Sequence, residues 1–289
     1  MYIDNNGEKW QKVALHLHTT VSDGVLTPEE VAEVYKEAGF DAIAFTDHWK
    51  FQDTKSVSGL NIISGCEYNV GGADSVCGVM HIVGVGMKEE PHLTRENSEQ
   101  EIIDAIKECG GIAILAHPAW SLNSIDDVKD LHGFEAVEIF NSVSETGQSS
   151  RPYSGYFVDL LSNKGTVMGL VATDDAHYYD EIDRARSYIM VKAESSETED
   201  ILKGIKNGDY FASQGPVLSV IRDGDKIIAE CSDCVRVDFL SNSVWDPDKI
   251  VRGENLMYAE FKIKKYTKWV RVEVVDKNGN FAWSNIISI

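Results

Sequence analysis

Residues 12–18 read Lys12-Val13-Ala14-Leu15-His16-Leu17-His18, and residues 27–45 hold Thr27-Pro28-Glu29-Glu30, a stretch to Ala38, then Gly39 and Asp41-Ala42-Ile43-Ala44-Phe45. The apolar run Lys12–Leu17 predicts a strand. Thr27 has the oxygen an N-cap needs, Pro28 suits the first helical position, and Glu30 completes a capping box. Gly39 then marks the helix end, and Asp41–Phe45 predicts a second strand. This is a β–α–β unit.

The same alternation continues outward. Leu60–Ser64, Val79–Val85, Ile112–Ala116, Phe134–Phe140, Val167–Ala172 and Ser187–Val191 read as strands, and Ser98–Cys109, Tyr153–Lys164 and Glu197–Lys206 as helices. Near-continuous apolar strands alternating with helices predict a parallel sheet covered by helices. About seven such units over ~210 residues fit a closed or nearly closed barrel. No glycine-rich phosphate-loop or dinucleotide fingerprint follows any strand. After Gly215-Pro216 the texture turns to short β-type runs separated by turns such as Asp223-Gly224 and Asn278-Gly279. The expected fold class is therefore α/β, a distorted (β/α)7 TIM-like barrel over residues 1–214, followed by a small all-β domain over residues 215–289.

The 289 residues are 43% hydrophobic and 26% charged, with a net charge of −20. That composition belongs to a globular chain. Apolar runs stay below the ~20 residues that cross a bilayer. The polar start lacks a basic-then-apolar leader pattern, so a cytoplasmic protein is expected. The acidic surplus argues against bulk nucleic-acid or anionic-membrane binding. It leaves room for a small anionic substrate at a local cationic site. The five cysteines (Cys66, Cys77, Cys109, Cys231 and Cys234) are odd in number and lack zinc-site pairing, so neither a disulfide framework nor structural zinc is expected.

The chemistry-bearing residues fall in one pattern. His16 and His18 stand at i and i+2 at the end of the first strand, so they share a face. Asp23 lies in the loop beyond them. His48 follows the second strand, Glu67 the third, and His81 lies in the fourth. His117 follows Ile112–Ala116, and Asp175 and His177 follow Val167–Ala172. In β/α barrels the C-terminal strand ends carry the active site. Imidazoles with carboxylates select zinc, manganese or iron over calcium or magnesium. Nine ligands at three to four per ion supply two or three divalent ions. Such ions draw in an anion, with a phosphate ester the leading candidate, and acidify bound water to supply hydroxide.

These motifs together resemble the PHP (polymerase and histidinol phosphatase) superfamily: His16-Leu17-His18-Thr19 with Ser22-Asp23-Gly24, Thr46-Asp47-His48, Gly65-Cys66-Glu67, His81, Ala116-His117-Pro118 and Thr173-Asp174-Asp175-Ala176-His177. The resemblance implies a trinuclear site. One ion would take His16, His18, Glu67 and Asp175, a second Glu67, His81 and His117, and a third Asp23, His48 and His177. Some members carry histidine where this chain has Asp23. Residues 211–216 and 282–285 are similar to the carbaryl-hydrolase-type subgroup, which carries a β-domain after the barrel.

The resulting expectation is a metal-dependent phosphoesterase that hydrolyses a small phosphomonoester or phosphodiester through metal-activated hydroxide. Asp175 and His177 are candidates to steer water or protonate the leaving oxygen. Asn141, Arg184 and Arg186 are candidate substrate contacts, although arginines beside Asp180, Glu181 and Asp183 more often form surface ion pairs. Trp49, Trp120 and Tyr178 are candidate pocket walls, and Asp47 and Asp174 candidate orienters of the ligands. Two alternatives stand: hydrolysis of a carboxylic ester, amide or carbamate at the same metals, and a metal-binding scaffold without activity. The β-domain is read as a cover or a face for a homo-oligomer.

Overall fold

The computed structural model describes residues 2–3, 7–71, 79–145 and 149–289. Cys77 lies outside them. The helices begin where the capping chemistry places them. Thr27 caps Pro28–Glu37: its hydroxyl accepts from the Glu30 N–H at 3.3 Å, and the Glu30 carboxylate accepts from the Thr27 N–H at 2.8 Å. Ser98 and Glu101 build the same box before Glu99–Glu108. Gly208 ends Thr198–Asn207 in the left-handed region, with φ 76°, where a side chain is strained.

The strands form two sheets among the described residues. The smaller runs Gly169–Thr173, Ala136–Asn141, Ile112–Leu115, Met80–Val85, Gly65–Val70. The larger carries Lys9–Ala14, Ala42–Ala44 and Leu60–Ile63 in parallel, with Tyr188–Lys192 antiparallel on the other side of Lys9–Ala14. It continues through Tyr210–Ser213 and Phe281–Trp283 into Trp269–Val275 and the strands that follow residue 214. After residue 214 there are strands and turns and no helix.

The expected closed, parallel barrel is corrected in two respects. No closed barrel is found among the described residues; the sheets meet at single bridges, Leu17 to Ala176 and His48 to Glu67. Nor is the fold all parallel, because Gly65–Val70, Met80–Val85 and Ile112–Leu115 pair antiparallel. An apolar run that reads as a buried strand carries no direction, which is why the sequence pattern misses this. The fold is mixed α/β.

Helices cover apolar strand faces in one core, and a second core is built from strands alone. Ile82, Ile102, Ile106, Ile114, Val137 and Leu170 pack in one core, and Ile227, Val237, Phe239, Phe261 and Val272 in another. Each such side chain contributes about 1.5–3 kcal/mol by leaving water. Polar residues are therefore confined to strand ends and to positions where a partner neutralises them. One such position is the contact between Trp269–Val275 and the helix Gly155–Asn163. There Arg271, fully buried, donates from Nε to Asp159 at 2.7 Å and from Nη1 to Glu273, and the Tyr153 hydroxyl also donates to Glu273.

Candidate metal centre

The ligand candidates arrive from both sheets. His16 and His18 extend Lys9–Ala14, fixed by backbone bonds from the Asp175 N–H to the His16 carbonyl and from the His18 N–H to the Ala176 carbonyl, both 3.0 Å. Between Ile63 and Gly65 the chain leaves one sheet for the other. A Cβ at Gly65 would stand 2.6 Å from the Phe45 carbonyl oxygen, so glycine permits this crossing. Two residues on, Glu67 points into the cluster. His81 lies near the start of Met80–Val85. Because that strand runs antiparallel, its beginning reaches the same face as the ends of its neighbours.

All nine side chains converge. The Glu67 carboxylate meets five imidazoles: Oε2 lies 3.4 Å from His16, 3.2 Å from His18 and 3.0 Å from His48, and Oε1 lies 2.8 Å from His81 and 3.4 Å from His117. Asp175 Oδ1 stands 3.2 Å from His16 Nε2 and 3.1 Å from His18 Nε2. Asp23 Oδ1 is 3.6 Å from His177 and its Oδ2 is 3.7 Å from His48. Three groups have donor atoms close enough to share an ion: His16, His18, Glu67 and Asp175; His18, Asp23, His48 and His177; and His48, Glu67 and His81. His117 approaches Glu67 and Asp175 but falls outside these groups.

A shell of acceptors fixes the rings. Glu138, fully buried, accepts from His16 Nδ1 and Thr173 Oγ1 on Oε1, both 2.7 Å, and from the His117 N–H and Asn141 Nδ2 on Oε2, both 2.9 Å. The His16 Nδ1–H is thus committed and Nε2 turns its lone pair to the cluster. Sequence reasoning missed Glu138; its signal is a lone carboxylate within the apolar run Ala136–Phe140. Asp183, also missed, accepts from the His177 and Tyr178 N–H groups at 2.8 and 2.7 Å. Asp47 accepts four bonds from Thr19 and Ser22 and so holds the loop that carries Asp23. Asp174 accepts from Tyr35, Ser142 and the Arg186 and Ser187 N–H groups. In the same loop a Cβ at Gly24 would stand 2.4 Å from the His18 carbonyl oxygen. His117 and Asp175 hold positive φ of 27° and 51°, strained backbone at two ligand candidates.

Electrostatics make the cluster seek cations. Burial opposes charge on His18, but Asp175 and Glu67 outweigh it and raise its pKa to about 9. Burial likewise opposes charge on His16, and Asp175, Glu67 and Glu138 raise it well above the ordinary value. Burial also opposes ionisation of Glu67 and Asp175, yet the surrounding imidazoles hold both carboxylates well below the usual range. His48 shifts the other way, lowered chiefly by burial. Asp175 Oδ1 and His48 Nδ1 are buried without a hydrogen-bond partner. An orphaned carboxylate oxygen between two Nε2 atoms is the donor set that a divalent ion takes, so the residues fit the ions the sequence implies.

Above the cluster opens a cavity of about 250 Å³, lined by six of the ligand candidates with Trp120, Val143 and Tyr178. The other expected contacts stand elsewhere. Asn141 is buried behind Asp175: its amide donates to Glu138 and, at 3.1 Å, to Asp175, and its carbonyl accepts from Ser144. Arg186 pairs with Glu145, and Arg184 is exposed. Trp49 donates to Asn69 and lies beneath Arg95, away from the cavity. His92 and His132 are exposed.

A mixed α/β fold with a buried His/Asp/Glu cluster at its strand ends defines a metal-dependent hydrolase. The chain belongs to the PHP domain family, whose model matches residues 14–226. It is 29% identical over 149 residues to an uncharacterized protein of Methanocaldococcus jannaschii, covering 47% of this chain and 85% of that one. A two-domain protein from Bacteroides vulgatus containing a predicted PHP-like metal-dependent phosphoesterase superposes with a TM-score of 0.52 at 14% identity, covering 100% of this chain and 97% of that one. This likeness extends over the strands after residue 214 and shows the shared fold. A lesion-specific endonuclease from Pyrococcus furiosus has a TM-score of 0.47 at 18% identity, over 69% of this chain and 56% of that one. Among the described residues no helix is long and apolar enough to cross a membrane.

Proposed function

We propose that this hydrolase cleaves a small phosphoric ester and that His16, His18, Asp23, His48, Glu67, His81, His117, Asp175 and His177 hold two or three manganese, zinc or iron ions for the purpose. The observation that carries this reading is the Glu67 carboxylate, buried and in reach of five imidazoles. Bound ions supply Lewis acidity toward a phosphoryl oxygen and lower the pKa of water.

The chain's own groups do the rest. His177 donates Nδ1–H to the Asp175 carbonyl at 2.7 Å, which leaves Nε2 toward Asp23 and the cavity. Nε2 is thus the lone pair His177 would offer an ion beside Asp23 and His48. Asn141 Nδ2 pins Asp175 Oδ2 and fixes the carboxylate's face. Trp120 and Tyr178 narrow the approach for bulk water. Residues 1–214 form the catalytic unit in this reading, and residues 215–289 a β-domain that braces it. The −20 charge favours a small, freely diffusing ester over a long nucleic acid.

A second reading, a carboxylic ester, amide or carbamate, gains support because no lysine or arginine is among the described residues that line the cavity. The test loads purified protein with Mn²⁺ or Zn²⁺ and compares p-nitrophenyl phosphate, bis-p-nitrophenyl phosphate and p-nitrophenyl acetate. Metal-dependent cleavage of a phosphate ester, lost in His16→Ala and Asp175→Asn, is expected. Cleavage of the acetate alone would transfer the assignment to the second reading.

A further inference from the structure

A second cavity lies where the strand Lys9–Ala14 meets the strands after residue 214. It holds about 320 Å³, and Tyr2, Trp10, Phe211, Leu218, Glu230 and Cys231 are among the residues that line it. None of its described lining residues borders the metal cavity. Trp10 stands six residues before His16, about 20 Å along extended chain, so the two cavities open at opposite ends of one strand.

Strand pairing brings the rings together. Tyr2 is the antiparallel partner of Trp10, which puts both side chains on one face. The Trp10 and Phe211 rings stand 5.4 Å apart between centroids at 59°, two walls of a corner rather than a stack. Leu218 and Cys231, partners across another ladder and both buried, add an apolar floor. Beside them Glu230 borders the cavity with an exposed carboxylate. The ion pairs of this sheet, Lys226 with Glu260 and Arg236 with Asp238, leave Glu230 out. Aromatic faces carry negative potential, so rings with a carboxylate at their edge attract a cation that has apolar surface of its own.

The adjoining cavity shows this chemistry satisfied from within the chain. It shares Tyr2, and Lys12, Asp41 and Tyr188 help to line it. The Lys12 ammonium lies 4.1 Å over the Phe40 ring and 4.4 Å over the Tyr188 ring. The Trp10 cavity repeats the rings and the carboxylate, yet no lysine or arginine is among the described residues that line it. The net charge of −20 further enriches cations at the surface.

We propose that the Trp10 cavity is a second ligand site and takes a small organic ammonium ion, its alkyl groups against Trp10, Phe211 and Tyr2 and its charge beside Glu230. The site stands apart from the metal centre and rests on neither reading of the reaction.

Calorimetry on the metal-loaded protein tests this with choline and with 3,3-dimethylbutan-1-ol, which has the same shape without the charge. Choline is expected to bind once per chain, at least about tenfold more tightly than the alcohol. Trp10→Ala should weaken choline at least about fivefold, and Trp10→Leu serves should the alanine variant fold poorly. Glu230→Lys, at an exposed position, should weaken it several-fold and leave the alcohol unchanged. Trp120→Ala, at the metal cavity, should change neither. No binding of choline, equal affinity for the alcohol, binding that survives both the Trp10 and the Glu230 changes, or binding lost in Trp120→Ala would overturn the proposal.

Discussion

Two clusters of carboxylates in this molecule are stabilised in opposite ways. Between the helix Gly155–Asn163 and the strand Trp269–Val275, Asp159 and Glu273 gather around Arg271, with Tyr153 as a further donor. The counter-charge there is part of the chain. At the strand ends Glu67, Asp175 and Asp23 face imidazoles and neutral donors with no lysine or arginine among their described partners, and one carboxylate oxygen and one imidazole nitrogen stay without hydrogen bonds. The first site is electrostatically closed. The second is built to be completed by cations from outside. Burial of acidic groups is thus not by itself a sign of function; the missing internal counter-charge is.

Removing the guanidinium should break the closed site most severely. Arg271→Met leaves Glu273 buried and Asp159 half-buried without a cation and is expected to cost about 3 kcal/mol. Urea unfolding measures it. Adding Glu273→Leu and Asp159→Leu should recover much of the loss, because a well-packed apolar replacement tolerates burial. Metal content should not change in either variant. If Arg271→Met lost its metals while remaining folded, the two sites would not be independent.

Glu138→Gln sharpens the contrast from the open side. It removes the carboxylate that orients His16 and accepts from the His117 N–H. Metal affinity should fall by about 10–100-fold, read by competition with a chelator dye, with a much smaller effect on unfolding of the metal-free protein.

The open site should also respond to pH with a definite sign. His18 is raised from 6.5 to about 9, so in chelator-treated protein its contribution to stability is whole below pH 6.5 and fades as pH rises through about 9. Ions bind the deprotonated ring, so metal affinity rises over the same window. Melting with and without Mn²⁺ across that range should show a widening gap. A constant gap would break the link between protons and ions. The smallest effect is expected at Thr27→Ala, about 1 kcal/mol from a lost cap, with neither site disturbed.

Much of this arrangement was legible in residue order. The i, i+2 spacing of His16 and His18, and of Asp175 and His177, reports a shared face directly. Strand ends are marked by apolar runs, so the ligands could be placed at one end of the fold before their distances were known. The capping box at Thr27 and Glu30 reads the same in sequence and structure. His81 escaped the rule because its strand is reversed, and strand direction is a long-range property of pairing. The strand Lys226–Ser241 runs through the polar stretch Ser232-Asp233, with a register shift between Glu230 and Cys234. A bulge looks like a break when only polarity is visible. Arg271 was silent for a related reason. An arginine in a strand announces exposure, and only the opposing Asp159 and Glu273 reverse that reading.

The central claim is that Glu67 and its imidazoles form a site for more than one cation. Elemental analysis of the Mn²⁺- or Zn²⁺-loaded and dialysed protein tests it most directly, beside Glu67→Gln prepared identically. Two to three ions per chain, with a clear loss in the variant at unchanged fold, is the predicted result. No bound ion, or the same number in Glu67→Gln as in the unaltered chain, would contradict it.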